Sequence, residues 1–165
     1  MARTPDTDCL SNGSLRNRSE VFVTVMSRIE HIGIVVTSYE EAREFYVNAL
    51  GAEVVREGEN GKLRFGFLAF ENIYIELFEL LDPRDKRARL GGDDVAGRLD
   101  HLAILTDHLA TTATRARELG VRMTADEPFR YEPLGSLIFN TVPETSGGVH
   151  FQFVERDRPL AEYRS

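Results

Sequence analysis

Two stretches of this chain repeat one another, and that repeat constrains the fold more than any other feature. IEHIGIVVTSYEEAREFYVNALGAEV begins at Ile29, and LDHLAILTDHLATTATRARELGVRM begins at Leu99. Each runs through an apolar residue, an acid, a His, an apolar alternation, a helix-start signal, an amphipathic run, Leu-Gly and a new strand. His31 therefore corresponds to His101, and Leu50-Gly51 to Leu119-Gly120. A chain of 165 residues has room for one well-buried domain or for two small halves sharing a core, and one compact unit is expected.

Within the first copy, Ser38 followed by Glu41 forms a capping box. Ala42, Phe45, Tyr46, Ala49 and Leu50 then form one apolar stripe, which predicts a helix over 39–50 ended by Gly51. In the second copy Asp107 is the expected cap, Leu109, Ala113, Ala116 and Leu119 repeat the stripe, and Gly120 ends it. Three strand-like runs follow each helix: 53–57, 62–70 and 73–80, then 121–124, 136–141 and 149–156. Turn signals at 58–61, 71–72 and 143–148 separate them. Each half thus reads as β-α-β-β-β, with modules at 28–81 and 99–156. The charged stretch 82–98, containing Gly91-Gly92, reads as a solvent-facing linker with a short helix. Residues 1–27 read as an N-terminal tail, with Val21 to Met26 as an optional extra strand, and 157–165 as a C-terminal tail.

A net charge of −7 disfavours nucleic acid and anionic membrane as partners, because bulk repulsion acts before any local contact forms. Cys9 is the single cysteine, so neither an internal disulfide nor a cysteine-based zinc site can be assembled, and a reducing cytoplasm is expected. The apolar run VFVTVM is too short for a membrane span or a signal-peptide core.

A pair of βαβββ modules with His at the same point of each first strand resembles the vicinal oxygen chelate superfamily, the group of glyoxalase I, methylmalonyl-CoA epimerase, extradiol dioxygenases and fosfomycin-resistance enzymes. The resemblance covers 28–156. It implies an α+β fold in which a curled mixed sheet surrounds a metal-containing cavity and the helices pack outside. Period-two alternation then turns His31, Gly33 and Val35 inward, with His101, Ala103 and Leu105 likewise, while Ile32, Ile34 and Val36 meet a helix.

Metal-using members of that superfamily take ligands from the first and fourth strands of each module, which here implies His31, Glu76, His101 and Gln152. Two imidazoles, a carboxylate and an amide suit one divalent ion, with Co, Mn, Ni, Zn and Fe all open. Alternation places Tyr74 and Phe78 on the face of Glu76, and His150 on the face of Gln152, as expected substrate contacts. Glu30, Glu79, Glu155 and Asp100 are expected on the outer face, and His108 in solvent at the start of the second helix.

Several segments look like those of methylmalonyl-CoA epimerases. VPETSGGVHFQFVE is similar to their HPK-x-x-x-GVLVELVE, and YIELFELLDP to their KIELLEP. Val142 stands where that motif has His, and Gln152 where it has a metal-binding Glu; in some epimerases the ligands run His, Gln, His, Glu, so carboxylate and amide have exchanged modules. The resemblance implies proton transfer at a carbon beside a carbonyl, with Glu76, or Glu59 from the nearby loop, exchanging the proton. Two other readings stay open: a non-haem iron dioxygenase using His31, His101 and Glu76, and a metal-free binding protein of the antibiotic-resistance kind. A small-molecule substrate, with an acyl-CoA as one option, and a homodimer are the implied partners.

Overall fold

The computed structural model describes residues 28–163. The expected N-terminal tail and the optional strand at 21–26 lie outside the described residues. Among the described residues eight strands and three α-helices follow in order: β1 (Arg28–Val36), α1 (Tyr39–Glu44), β2 (Glu53–Glu59), β3 (Leu63–Ala69), β4 (Tyr74–Leu80), α2 (Pro83–Leu90), β5 (Gly97–Leu105), α3 (Leu109–Glu118), β6 (Phe129–Tyr131), β7 (Ser136–Asn140) and β8 (Phe151–Arg156). They build one curled sheet in the order β2-β3-β4-β1-β5-β8-β7-β6. The two first strands, β1 and β5, meet antiparallel at its centre, and each is flanked in parallel by the fourth strand of its own module. The sheet is thus a half-barrel made of two like halves.

Alternation sorts the core into two sides. Val35, Val55, Phe65, Phe67 and Phe78 pack on the concave side, while Val36, Leu68, Ile75 and Leu77 pack with Tyr39 and Tyr46 beneath α1. Leu109 and Ala113 of α3 cover Phe139 in the second half. Residues 157–163 of the expected C-terminal tail are part of the domain, because Leu160 and Tyr163 are buried in the concave core and the Tyr163 hydroxyl donates to the Leu134 carbonyl.

Both helix starts are held from the fourth strands. Ser38 accepts from the Glu41 amide as the capping box predicts, and Glu79 of β4 accepts from the Tyr39 amide at 2.9 Å. In the second half Glu155 of β8 accepts from the Leu109 amide at 2.7 Å, and the cap residue is His108 rather than Asp107. Placing Glu79 and Glu155 on the outer face was therefore right, and that face is where they meet orphan helix amides.

The long first helix differs from expectation. After Glu44 the chain widens into a π-helical turn over Phe45–Ala49, which shifts the phase of the stripe. Tyr46 and Val47 take the core side and Phe45 and Leu50 are left exposed. Leu119, at the very end of α3, is exposed as well. The expected strand at 121–124 reduces to a single bridge between Met123 and Thr141, because this segment lies beyond the end of β7 and bonds to the turn there, as in Val142 N–H to the Arg122 carbonyl. Phe129–Tyr131 takes its place in the sheet.

Two irregularities in the central pair shape the site. The β1–β5 register runs Ile29 opposite Ile104, then His31 opposite Ala103, leaving Glu30 as an extra residue. It runs Gly33 opposite His101, then Ile34 opposite Leu99, leaving Asp100 as the extra residue. Each bulge lets two successive side chains turn toward one face. A third register shift, between Val54 and Arg56 of β2, leaves Val55 extra and sends Glu57 and Glu59 to the α1 side.

Candidate metal centre and cavity

Two rows cross the middle of the sheet. In one, Gly33 lies between Glu76 and His101; in the other, Ala103 lies between Gln152 and His31. Each row sets a candidate ligand from a fourth strand, a small residue, and a His from the opposite module. The small residue makes room for the imidazole. A Cβ added at Gly33 would sit 2.1 Å from Cε1 of His101.

The rows bring three donors together. His31 Nε2 and His101 Nε2 are 3.2 Å apart, and Glu76 Oε2 lies 3.4 Å from the first and 3.3 Å from the second. His31 and His101 are 1% and 3% exposed, so water does not separate them from this contact. Nδ1 of His31 lies 3.0 Å from Glu30 Oε2, and Nδ1 of His101 lies 2.8 Å from Asp100 Oδ2. An ionised carboxylate only accepts, so each Nδ1 carries a proton, and in neutral imidazoles both Nε2 atoms present lone pairs.

Two lone pairs and a carboxylate oxygen then converge in a buried space, which is repulsive unless a cation lies among them. Donors about 2.0–2.1 Å from a common centre show separations of this size, so the three residues fit a divalent ion. Without an ion, a proton serves. Burial opposes charge on His101, but Asp100 and Glu76 outweigh it and raise its pKa to about 9. Burial likewise opposes charge on Glu76, yet the two imidazoles hold its pKa down at about 2.

Glu30 and Asp100 are corrections to the expected outward placement; the bulges turn both inward. Arg156 grips Glu30 with two bonds of 2.6 Å and also donates to Ser136 Oγ at 2.7 Å. Burial opposes the Glu30 charge, but His31 and Arg156 keep its pKa below the usual carboxylate range. Arg89 of α2 grips Asp100 through Nε and Nη2.

Glu76 and His101 open onto a cavity of about 460 Å³ whose wall also includes Phe67, Phe78, Tyr131 and Gln152, with His31 behind them. Glu76 and Gln152 thus face one space, as the alternation requires. Phe78 is in the wall, whereas Tyr74 and His150 are not among its described residues. Tyr74 packs against the concave core, and His150 Nδ1 lies 3.3 Å from Arg89 Nη2, beside Asp100. Glu59 is not brought to the cavity: the β2 bulge turns it outward, where it pairs with Arg64 at 3.0 Å.

Sequence reading missed Tyr131. Its hydroxyl is buried in the described structure without a hydrogen-bond partner, its ring stacks edge-on against Phe65, and burial together with the Glu76 charge pushes its pKa up. An aromatic on a three-residue strand after a Pro-containing loop gives no local signal for such a role. Arg156 and Arg89 were missed too, since their partners lie 126 and 11 residues away.

Among the described residues no helix is long and apolar enough to cross a membrane. The sequence model of the Glyoxalase/Bleomycin resistance protein/Dioxygenase superfamily matches residues 28–153. The chain is 32% identical over 113 residues to the uncharacterised protein YwkD of Bacillus subtilis, covering 67% of this chain and 83% of that protein. It is 28% identical over 154 residues to the mitochondrial methylmalonyl-CoA epimerase of Bos taurus, covering 89% and 85%. The crystal structure of methylmalonyl-CoA epimerase from Mycobacterium tuberculosis superposes with a TM-score of 0.70 at 28% identity, covering 81% of this chain and 91% of that one. The chain belongs to the glyoxalase/bleomycin resistance protein/dioxygenase superfamily.

Proposed function

We propose that this protein is a divalent-metal-dependent enzyme that moves a proton at a carbon beside a carbonyl, with an acyl-CoA such as methylmalonyl-CoA as substrate. The observation that carries the reading is the convergence of His31 Nε2, His101 Nε2 and Glu76 Oε2, with pair separations of 3.2–3.4 Å, where Glu76 and His101 line a cavity. The similarity to methylmalonyl-CoA epimerases supports the acyl-CoA class.

His31, His101 and Glu76 would hold the ion, with the Gln152 amide oxygen as a fourth donor. Bound there, a divalent ion supplies Lewis-acid stabilisation of negative charge on a substrate oxygen. The chain's own groups do the rest. Glu76 directs Oε2 at the imidazoles, which leaves Oε1 to accept the proton from carbon. The Tyr131 hydroxyl, kept neutral by its surroundings, donates a hydrogen bond to a substrate oxygen. Phe67 and Phe78 exclude water from the reacting carbon. Glu59, turned away from the cavity, has no part in this scheme.

The test is hydrogen–deuterium exchange at the α-carbon of methylmalonyl-CoA in deuterated buffer, followed by NMR on metal-loaded protein. Exchange that is abolished in Glu76→Gln supports the reading; absence of exchange in a metal-loaded wild type overturns it. Two imidazoles and one carboxylate also match the ligand triad of non-haem iron oxygenases, which favours a dioxygenase as the second reading. Oxygen consumption by the iron(II)-loaded protein with a diol substrate would select it.

A further inference from the structure

The two candidate ligand imidazoles are backed by matching arrangements that the repeat does not account for. Glu30 and Asp100 are repeat-equivalent, but the arginines that hold them are not: Arg156 ends β8, whereas Arg89 lies on α2. The residue equivalent to Arg156 in the first half is Leu80, since Glu76 and Glu79 correspond to Gln152 and Glu155. The same chain of contacts, arginine to carboxylate to Nδ1, is thus assembled twice from different parts of the fold.

Both bulges serve this arrangement. In a regular strand Glu30 and His31 would point to opposite faces, and so would Asp100 and His101. Placing each acid as an extra residue turns its side chain to the face of the imidazole. The carboxylates are 5% and 6% exposed at the side chain, which is costly for a charge whose only service is general packing. Each arginine takes up carboxylate lone pairs that would otherwise be free to swing in and compete as a ligand.

We infer that Glu30 and Asp100 are positioning residues: they fix the Nδ1–H tautomer of His31 and His101 and aim both Nε2 atoms at one divalent cation, with Arg156 and Arg89 holding the carboxylates in place. The inference rests on the metal-centre reading given above. It concerns what the chain does to its ligands rather than which reaction follows. A carboxylate behind each imidazole excludes the Nε2–H form, in which the nitrogen facing the site would be a donor and unable to ligate.

The experiment is a chelator-competition titration of the full chain with zinc(II), paired with ¹⁵N NMR of the histidine rings in the zinc-loaded protein. In the wild type, zinc binds through Nε2 of both rings and both Nδ1 atoms are protonated. Asp100→Ala and Glu30→Ala are expected to weaken zinc about 10- to 100-fold, with part of the affected ring shifted to the other tautomer. Asp100→Asn and Glu30→Gln keep an acceptor oxygen against Nδ1–H and should recover most of that loss.

Glu30→Ala leaves Arg156 buried and unpaired and is at risk of not folding. Asp100→Ala leaves Arg89, whose side chain is 44% exposed, free to reach solvent, so it carries the test alone if necessary. Ala variants that bind zinc as tightly as wild type with unchanged ring spectra overturn the inference and leave the metal centre standing. A wild type that binds no zinc overturns the metal centre, and the inference with it.

Discussion

His31 and His101 face each other across the central strand pair with their Nε2 atoms 3.2 Å apart, and each has its Nδ1 committed to the acidic residue before it. Two acceptors at that distance, with Glu76 Oε2 as a third, make a buried position that demands positive charge. The candidate chemistry of the protein follows from that one electrostatic requirement.

In the metal-free protein a proton on His101 meets the requirement. His101 holds its proton more tightly when folded, with a pKa raised to about 9 from the ordinary 6.5, so its stabilising contribution is complete below pH 6.5 and is lost as pH rises toward 9. The loss is at most about 3 kcal/mol. Melting curves in chelator should therefore show Tm falling between pH 6.5 and 9, whereas one equivalent of zinc, replacing the proton, should remove that fall. Parallel pH profiles with and without zinc would contradict the assignment.

Gly33 is where the sheet gives way to the His101 ring. Gly33→Ala puts a methyl 2.1–2.5 Å from three ring atoms, so the imidazole must leave its contacts with Asp100 and Glu76. The expected outcome is a stability loss of about 1–3 kcal/mol and at least tenfold weaker zinc binding, read by denaturant melts and chelator competition.

The unpartnered Tyr131 hydroxyl separates function from stability. Tyr131→Phe removes a buried polar atom that has no protein partner among the described residues, so unfolding stability should stay level or rise, by about 1 kcal/mol at most. Deuterium exchange at the substrate carbon should nevertheless slow roughly tenfold to a thousandfold. A fall in Tm with unchanged exchange would make the hydroxyl structural.

The helix-capping acids should affect stability alone. Glu155→Ala frees the Leu109 amide and is expected to cost about 1 kcal/mol. Glu79→Ala should cost more, because Glu79 also receives the Lys86 ammonium at 2.6 Å. Zinc affinity should be unchanged in both, since neither side chain faces the cavity.

The repeat made the two like modules readable, and alternation together with the superfamily resemblance put Glu76, His101 and Gln152 toward one cavity; that the two first strands meet at the centre of a single sheet is visible only in the folded chain. Alternation fails where a strand gains a residue. Glu30 and Asp100 were misplaced for that reason, because a bulge depends on how two strands pair and leaves no pattern within either; Glu59, expected in a loop, instead ends β2. The π-helical turn misled the stripe at Phe45 and Leu50 in the same way, by one inserted residue of phase. Arg156 and Arg89 were illegible for a different reason: their meaning lies in carboxylates that only the folded sheet brings near them.

The most direct test of the metal centre is calorimetric titration of chelator-stripped protein with cobalt(II), comparing wild type with the His31→Ala, His101→Ala double variant. The account predicts one tight equivalent in the wild type and no tight binding in the variant. A wild type that takes up no cobalt, or a double variant that binds it equally well, would contradict it.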